Sequence, residues 1–282
     1  MERYSHIFND DLKIEHEKIK RWRVVANSKG SYNTTIINSD KDEEREILTG
    51  DILFFNGSSI VSSGIKLMSR SNWNHIGMAC WLELTYDNII TDEEDTIVEL
   101  WCYEMGSLSF KDLITMEIAH MKTRLVRLTE IGKMYDMISV RHINHARDET
   151  FCQRFEDFML KYKGTPFYKS SFTLLKTFVF SPGAPEGEVS CSHLVSVMMD
   201  EMNIYKPQFD PSQFCPGHYS SECDAFPPEL FYGPEVPIYH CTTKLNVRTI
   251  VAIVIIIILV AVAIVLYANY KSVSSTAIIS KN

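Results

Sequence analysis

The stretch SNWNHIGMACWLE, residues 71 to 83, places one histidine at the head of an apolar run in which small and large side chains alternate. In a strand, successive side chains point to opposite faces. One face would then carry His75, Gly77, Ala79 and Trp81. The histidine stands beside two residues with almost no side chain, and a well-packed core does not tolerate the open space that this leaves. We therefore expect a helix or a substrate to fill it.

Composition and charge limit the class of protein. The chain has 282 residues, of which 45% are hydrophobic, so it can bury one sizeable core. Its net charge is −8 and its pI is about 5.6. Phosphate contacts need an excess of lysine and arginine, which this chain does not have. We expect no nucleic-acid partner.

The cysteines and the N-terminal residues indicate a reducing compartment. The chain has 7 cysteines. Their number is odd and their spacing irregular, which is not typical of a disulfide framework. The opening residues MERYSHIFNDDLKIEHEK do not have the pattern of a signal peptide. We therefore expect free thiols and a domain that stays on the cytosolic side of any membrane.

An uncharged apolar run lies near the end of the chain. The residues IVAIVIIIILVAVAIVLYA, 250 to 268, form a helix long enough to cross a hydrocarbon core of roughly 30 Å. The alternative, a helix buried in a soluble core, would need protein on every side of the run. We predict a single-pass transmembrane helix that anchors the protein in a membrane by its C-terminal tail. Basic residues flank the run on both sides, so the charges leave its orientation open.

The patterns divide the chain into five segments. An N-terminal segment is predicted to hold a charged helix, over residues 7 to 25, and a polar loop. A second segment carries the strand and helix patterns, and the last three are a juxtamembrane linker, the transmembrane helix and a short tail. The five segments are residues 1–47, 48–240, 241–249, 250–268 and 269–282.

Short strand patterns and two helix patterns fill the second segment. GDILFFNG, residues 50 to 57, is a strand between glycines, and TIVELWC, residues 96 to 102, is a strand that carries Glu99. TRLVRL, residues 123 to 128, predicts another strand, and residues 148 to 163 form an amphipathic helix. We expect an α+β fold in which helices pack on an antiparallel sheet.

The second helix pattern begins with a cysteine. In VSCSHLVSVMMDEMNI, residues 189 to 204, Ser190 is in capping position ahead of Cys191, and apolar residues share one helical face. The unpaired amides and the dipole at a helix N-terminus favour the thiolate, which is the nucleophilic form of cysteine. Cys191 is therefore a candidate nucleophile. The alternative is an inert cysteine in the core.

A nucleophilic thiol needs an imidazole to accept its proton, and the imidazole needs a polar group that holds its orientation. We predict Cys191 as the nucleophile, His75 as the general base and then acid, and Glu99 as the orienting residue, because its strand could pair beside that of His75. Glu104 is an alternative that falls after the predicted strand. The backbone N–H of Cys191 would be one oxyanion donor. Taken alone, His75 could instead be a structural histidine.

Taken in order, these stretches resemble the circularly permuted papain-like enzymes of the NlpC superfamily, particularly its YiiX/YaeF-like group. GDILFF, NHIGM and IVELW are similar to that family's Gly-Asp strand, its histidine strand and the strand with its third polar residue. KGTPFY and SCSHLVS are similar to its Gly-x-x-Tyr-type segment and its nucleophile helix. PSQFCPGHYSS is similar to the proline-rich closing segment of members from large DNA viruses. The resemblance covers about residues 48 to 222.

The resemblance implies a permuted papain-like domain in which the histidine strand precedes the cysteine helix. It assigns the nucleophile to Cys191, the base to His75 and the third position to Glu99. His193 departs from the pattern, because many relatives have an acidic residue there. The sequence CSHLV is instead similar to the NCEHF box of the lecithin:retinol acyltransferase-like group. On a helix His193 points away from Cys191, so we interpret it as a polar residue behind the site.

The expected activity is that of a membrane-anchored thiol hydrolase that cleaves amides or peptides through a thioester on Cys191. The alternatives are an acyltransferase or phospholipase that acts on lipids, and a non-catalytic membrane or virion component that keeps the fold. The expected partners are a peptide, amide or lipid acyl substrate and the membrane. We expect no cofactor and no metal, because a possible zinc set lacks paired short-spacing motifs. That set is Cys191, His193, Cys215, His218 and Cys223.

Overall fold

Strands dominate the part of the chain that the structure, a computed structural model, describes. The described residues are 15–31, 45–58, 63, 65–67, 71–88, 93–168, 186–207 and 210–240. The strands are β1 (Ile19–Val25), β2 (Ile52–Asn56), β3 (His75–Asn88), β4 (Glu93–Gly106), β5 (Phe110–Lys111), β6 (Ile118–Ala119), β7 (Lys122–Arg127), β8 (Met137–Ile143) and β9 (Phe231–His240). The helices used below are α1 (Leu128–Gly132), α2 (Glu149–Tyr162) and α3 (Cys191–Glu201).

The main sheet is antiparallel and has the strand order β7-β4-β3-β2-β8-β9. Strand β3 lies in its middle and pairs along one edge with β4. The other edge of β3 is shared by two strands: β2 pairs with its first residues, with Phe55 opposite His75, and β1 pairs with its later residues. The predicted α+β fold with an antiparallel sheet is therefore confirmed.

Residues on alternate positions of β3 belong to different cores. The first core cluster, which includes Phe155 of α2 and Leu194 of α3, also contains Ile76 and Met78. The second cluster lies on the other face and contains Ala79 and Trp81, together with apolar residues of α1. The alternation predicted for this stretch is therefore confirmed. By the same alternation His75, the first residue of β3, lies on the face of the sheet that contacts the second cluster.

The N-terminal segment differs from the prediction. Residues 19 to 25 form strand β1 after a 3-10 turn at His16–Lys18, so the helix predicted over residues 7 to 25 is wrong in its described part. Arg21 and Arg23 resemble a solvated helical face in the sequence. In the structure they form ion pairs with Glu94 and Glu83 across the sheet. Pairing with a strand far along the chain outweighs the local pattern, and the sheet begins before residue 48.

Both helix starts that the sequence predicts are confirmed. The Asp148 side chain caps α2 by accepting a hydrogen bond from the backbone N–H of Phe151 at 2.7 Å. The Ser190 side chain caps α3 by accepting one from the backbone N–H of His193 at 3.2 Å. Short polar side chains satisfy the unpaired amides of a first helical turn, which explains why both starts could be predicted.

The C-terminal segments lie outside the described residues. The chain divides into two units, Met1–Cys241 and Thr242–Asn282. The linker, the transmembrane helix predicted at residues 250–268 and the tail all fall after the last described residue. Among the helices that the structure describes, none has both the length and the hydropathy needed to cross a membrane.

Candidate active site

The side chains of strand β4 fill the space beside His75. A Cβ atom at Gly77 would lie 2.6 Å from Sγ of Cys102 and 2.9 Å from Cβ of Glu104. Such distances are too short for a real Cβ atom, so glycine is what lets these two side chains approach β3. The small residue next to the histidine therefore makes room for a carboxylate on the neighbouring strand, and neither a helix nor a substrate is needed there.

Glu104 is the carboxylate that meets His75. Its Oε2 lies 2.9 Å from Nε2 of the imidazole, and the Glu104 side chain is fully buried. The contact follows from the register of the sheet, because Glu104 pairs with Gly77 and His75 lies two residues away on the same face. Strand β4 runs to Gly106, beyond the end that the sequence predicts. Glu104, which the sequence pattern places after the strand, therefore lies within β4.

Glu99 does not contact His75, so the prediction that it orients the imidazole is wrong. Glu104 makes that contact instead. The register places Glu99 opposite Leu82, seven residues after His75, which is roughly 23 Å along a strand. An odd separation also puts it on the opposite face of the sheet. There the carboxylate binds Arg127, with Oε1 2.9 Å from Nε, and accepts a hydrogen bond from the Trp101 indole at 3.1 Å.

Arg124 binds the other oxygen of Glu104. The two residues pair across β4 and β7, and Nε of Arg124 donates to Oε1. The guanidinium also donates to the carbonyl oxygens of Leu108 and Ala119, and its side chain is buried. Burial acts to raise the pKa of Glu104, but the charge of Arg124, followed by His75, lowers it below its ordinary value. Glu104 is therefore an ionised carboxylate that accepts a hydrogen bond from Arg124 and forms an ion pair with His75.

Cys191 is the first residue of α3, as the sequence predicts. Its side chain is half-buried, and α3 packs against both β3 and β4. The Cys191 side chain lies close enough to His75 to raise the pKa of the imidazole. Since Nε2 of the imidazole faces Glu104, the other ring nitrogen, Nδ1, is the one left for the thiol. The structure thus brings together two of the three residues that the sequence singled out.

The imidazole of His75 interacts with two titratable partners, Cys191 and Glu104. Burial acts to lower its pKa, because burial disfavours the charged form. The charge and the hydrogen bond of Cys191, followed by those of Glu104, outweigh burial and raise the pKa of His75 to about 9. At neutral pH the shift favours the imidazolium, and its natural partner in a nucleophilic site is a cysteine thiolate. That ion pair is the state in which a cysteine acts as a nucleophile.

Two aromatic rings lie against the imidazole. Phe55, which is opposite His75 in β2, has its ring centroid 5.3 Å from that of the imidazole. The ring of Tyr135, on the turn between α1 and β8, lies 5.8 Å away and is nearly parallel, with an interplanar angle of 6°. Tyr135 is half-buried, whereas Phe55 is fully buried. Sequence reasoning did not find either ring, because only the strand register and the turn bring them to His75.

The proline-rich segment after α3 holds the first turn of that helix. The hydroxyl of Ser192 donates to the carbonyl oxygen of Phe214 at 2.5 Å. The hydroxyl of Tyr219 donates to the carbonyl oxygen of Ser192 at 3.0 Å, and both aromatic residues are buried. These contacts fix the backbone directly after Cys191, so the proline-rich segment supports the position of the thiol.

Of the other residues in the possible zinc set, Cys215 and His218 contact each other and His193 contacts a tyrosine. Nδ1 of His193 lies 3.4 Å from the Tyr168 hydroxyl, and burial lowers the pKa of His193, although Asp210 acts in the opposite direction. Nδ1 of His218 accepts a hydrogen bond from the backbone N–H of Cys215 at 3.0 Å. Within the described ranges, no group of three or more His, Cys, Asp or Glu side chains could hold a metal ion.

A second buried carboxylate–histidine pair, Asp51 with His142, lies at the start of β2. Oδ2 of Asp51 lies 2.8 Å from Nδ1 of His142, and Oδ1 lies 3.0 Å from Nη2 of Arg147. Asp51 also accepts hydrogen bonds from the backbone N–H groups of Leu48 and Ile143. These contacts join the start of β2 to β8 and to the residues before α2. The aspartate of GDILFF therefore stabilises the fold.

Comparisons with known proteins find a weak structural similarity. No family model matches the chain, and no curated protein matches it. The chain is similar to the crystal structure of the metalloprotein YiiX from Escherichia coli O157:H7, DUF1105, with a TM-score of 0.37 and 16% sequence identity. The matched region covers 58% of this chain and 77% of that one. Because the similarity is so low, the roles of the site residues are inferred from their own geometry.

Proposed function

We propose that this protein is a thiol hydrolase with a permuted papain-like site, in which Cys191 attacks an amide or peptide carbonyl. One observation carries the proposal: a chain of contacts runs from Arg124 through Glu104 and His75 to the Cys191 thiol. Its first three members are buried and the thiol is half-buried. Buried charges that shift the pKa of a histidine beside a reachable nucleophile are typical of catalytic sites.

The proposed reaction has two halves. In the first half, the Cys191 thiolate forms a bond with the carbonyl carbon and the carbonyl electron pair moves to oxygen. The C–N bond then breaks, and the His75 imidazolium gives its proton to the leaving nitrogen. In the second half, His75 takes a proton from water, the hydroxide attacks the thioester, and the C–S bond breaks. The carboxylic acid leaves, and the thiolate and the imidazolium are restored.

The remaining parts of the site support these steps. The backbone N–H of Cys191, at the first turn of α3, is a donor for the oxyanion. Glu104 orients the imidazole and stabilises its charge, and Arg124 keeps that carboxylate ionised. His75 precedes Cys191 in the chain, which is the order that the resemblance to permuted papain-like enzymes implies. The membrane anchor at residues 250–268 is a proposal that rests on the sequence of that run.

Trapping of the acyl-enzyme tests the proposal. The full-length protein in detergent is mixed with fluorogenic aminoacyl amides, p-nitrophenyl esters and a short-chain phosphatidylcholine, and is then quenched in acid. Intact-mass and peptide mass spectrometry should find an acyl group on Cys191 that hydroxylamine removes. Cys191→Ser should abolish the adduct and His75→Ala should slow its formation. Cys223→Ser is the matched control, because Cys223 is also a half-buried cysteine, and it should behave as the wild type.

The outcomes separate the three readings of the site. An adduct from the amides and the p-nitrophenyl esters supports an amidase or peptidase. An adduct from phosphatidylcholine alone would replace the amide substrate with a lipid ester. No adduct from any donor, together with a Cys191 that reacts no faster than Cys223 with iodoacetamide, would favour a non-catalytic component that keeps the fold.

A further inference from the structure

We infer that the neighbouring rings of Phe55 and Tyr135, which together we call the aromatic clamp, lie on one side of His75 and stabilise its imidazolium form, and that Tyr135 is a positioning residue for this histidine. The consequence for catalysis rests on the proposed function. The clamp itself rests on the arrangement of the three rings.

The two rings lie together on one side of the imidazole, within the distance at which a cation is attracted to an aromatic ring. The ring centroids of Phe55 and Tyr135 lie 5.3 Å and 5.8 Å from that of His75, and 4.9 Å from each other. A cation within about 6 Å of a ring centroid is attracted by the negative face of the ring. The attraction acts on the imidazolium and is absent for the neutral imidazole. Both rings therefore favour the protonated histidine.

The backbone fixes the position of the Tyr135 ring. The N–H of Tyr135 donates to the carbonyl oxygen of Gly132 at 3.2 Å, and the N–H of the next residue, Asp136, donates to that of Asn56 at 2.8 Å. The second bond ties the turn to the end of β2, directly after Phe55. The two rings of the clamp therefore come from neighbouring backbone segments, so their separation does not depend on side-chain contacts alone.

Tyr135 stays a neutral ring in this position. Burial, followed by the charges of Glu104 and Cys191, raises the pKa of its hydroxyl well above the ordinary value. Among the described residues, the titratable groups around His75 are the Cys191 thiol on α3 and the Glu104 carboxylate on β4, with Arg124 of β7 behind that carboxylate. The aromatic clamp should raise the pKa of His75 in the same direction as these groups, because it also favours the protonated imidazole.

A direct titration of His75 tests the clamp. The chain has 9 histidines, so the full-length protein in detergent is labelled with carbon-13 at histidine and the His75 signal is assigned by its loss in His75→Gln. Position 135 is then replaced by phenylalanine and by phenylalanines of increasing fluorine content. These side chains keep the shape of the ring while they weaken its negative face, so they separate an electrostatic effect from packing.

The expected results follow from the strength of the attraction. Tyr135→Phe should titrate as the wild type does. The pKa of His75 should fall with each added fluorine, and Tyr135→Leu should lower it by roughly 0.4 to 1.5 units. Tyr239→Leu is the matched control, because Tyr239 packs against the second core cluster and pairs with Ile138, and it should leave the titration unchanged.

Two results would overturn the clamp: a His75 pKa that does not depend on fluorine content, or a Tyr135→Phe variant that shifts as far as Tyr135→Leu. The fluorinated series keeps the test valid if Tyr135→Leu does not fold. The same series in a Cys191→Ser background separates this inference from the proposed function. If the fluorine trend persists in that background but the protein with Cys191 intact forms no acyl-enzyme, the clamp stands and the hydrolase proposal fails. If acyl-enzyme forms without the trend, the clamp fails.

Discussion

Replacement of Glu104 by glutamine should lower the population of the thiolate–imidazolium pair and slow the alkylation of Cys191. The substitution keeps the shape of the side chain and removes its charge. Glu104 lies 2.9 Å from Nε2 of His75 and is fully buried, so water cannot take its place. The neutral amide does not stabilise the imidazolium as the carboxylate does, and the proton therefore returns to the thiol more readily.

The size of the effect can be worked out from the contact that is lost. A hydrogen bond to a charged group contributes about 1.5 to 3 kcal/mol. At 1.36 kcal/mol for each factor of ten, the ratio of the charged pair to the neutral pair should fall by roughly 10- to 150-fold. Alkylation at pH 7 should slow by up to the same factor. Stability should also fall, by about 3 to 5 kcal/mol, because the buried Arg124 loses its counterion.

The assay is the pseudo-first-order reaction with iodoacetamide, with the modified cysteine identified by peptide mass spectrometry. Glu99→Gln is the matched control: it changes a carboxylate on the same strand, but Glu99 binds Arg127 on the opposite face, so the rate should change less than about twofold. A wild-type rate in Glu104→Gln, or an equal loss in Glu99→Gln, would refute the reasoning.

A double variant separates reactivity from stability. Adding Arg124→Met to Glu104→Gln removes both members of the buried ion pair, so no uncompensated charge remains. Urea unfolding followed by tryptophan fluorescence should show that most of the lost stability returns. The alkylation rate should stay low, because the carboxylate beside His75 is still missing. Recovery of the rate together with the stability would mean that Glu104 acts only by holding the fold.

Three further predictions concern pH, packing and the anchor. The folded protein raises the pKa of His75 from 6.5 to about 9, so this histidine should contribute roughly 3 kcal/mol of stability below pH 6.5. That contribution should be lost as the pH rises through about 9. The urea midpoints of the wild type and His75→Gln should therefore converge at alkaline pH, and a constant difference between them would contradict this prediction. Gly77→Ala should destabilise the fold by about 1 to 3 kcal/mol, because its Cβ would lie 2.6 Å from Sγ of Cys102; an unchanged urea midpoint would contradict this. A chain that ends at Tyr239 should stay soluble and keep a reactive Cys191, whereas aggregation or loss of labelling in detergent would show that the C-terminal run supports the domain.

The sequence alone predicts those features that depend on residues close to each other in the chain. The alternation around His75, the strand before residue 57 and the capped helices at Asp148 and Ser190 follow from local patterns, and the structure has them where expected. The position of Cys191 at a helix N-terminus is local in the same sense, because one serine ahead of an apolar helical face is enough to predict it. Candidate residues for a nucleophile and a base could therefore be named before the fold was known.

The choice of partners was decided by contacts between distant parts of the chain. The sequence favours Glu99, because Glu104 falls after the predicted strand, but the two residues differ in which residue of β3 each one meets. A register fixed by pairing along the whole strand puts Glu104 beside Gly77 and puts Glu99 opposite Leu82, on the other face. Strand β1, the buried Arg124 and the ring of Tyr135 likewise depend on segments that meet only in the folded protein. Local patterns specify strands and caps, but which side chains meet across a sheet is a property of the tertiary structure.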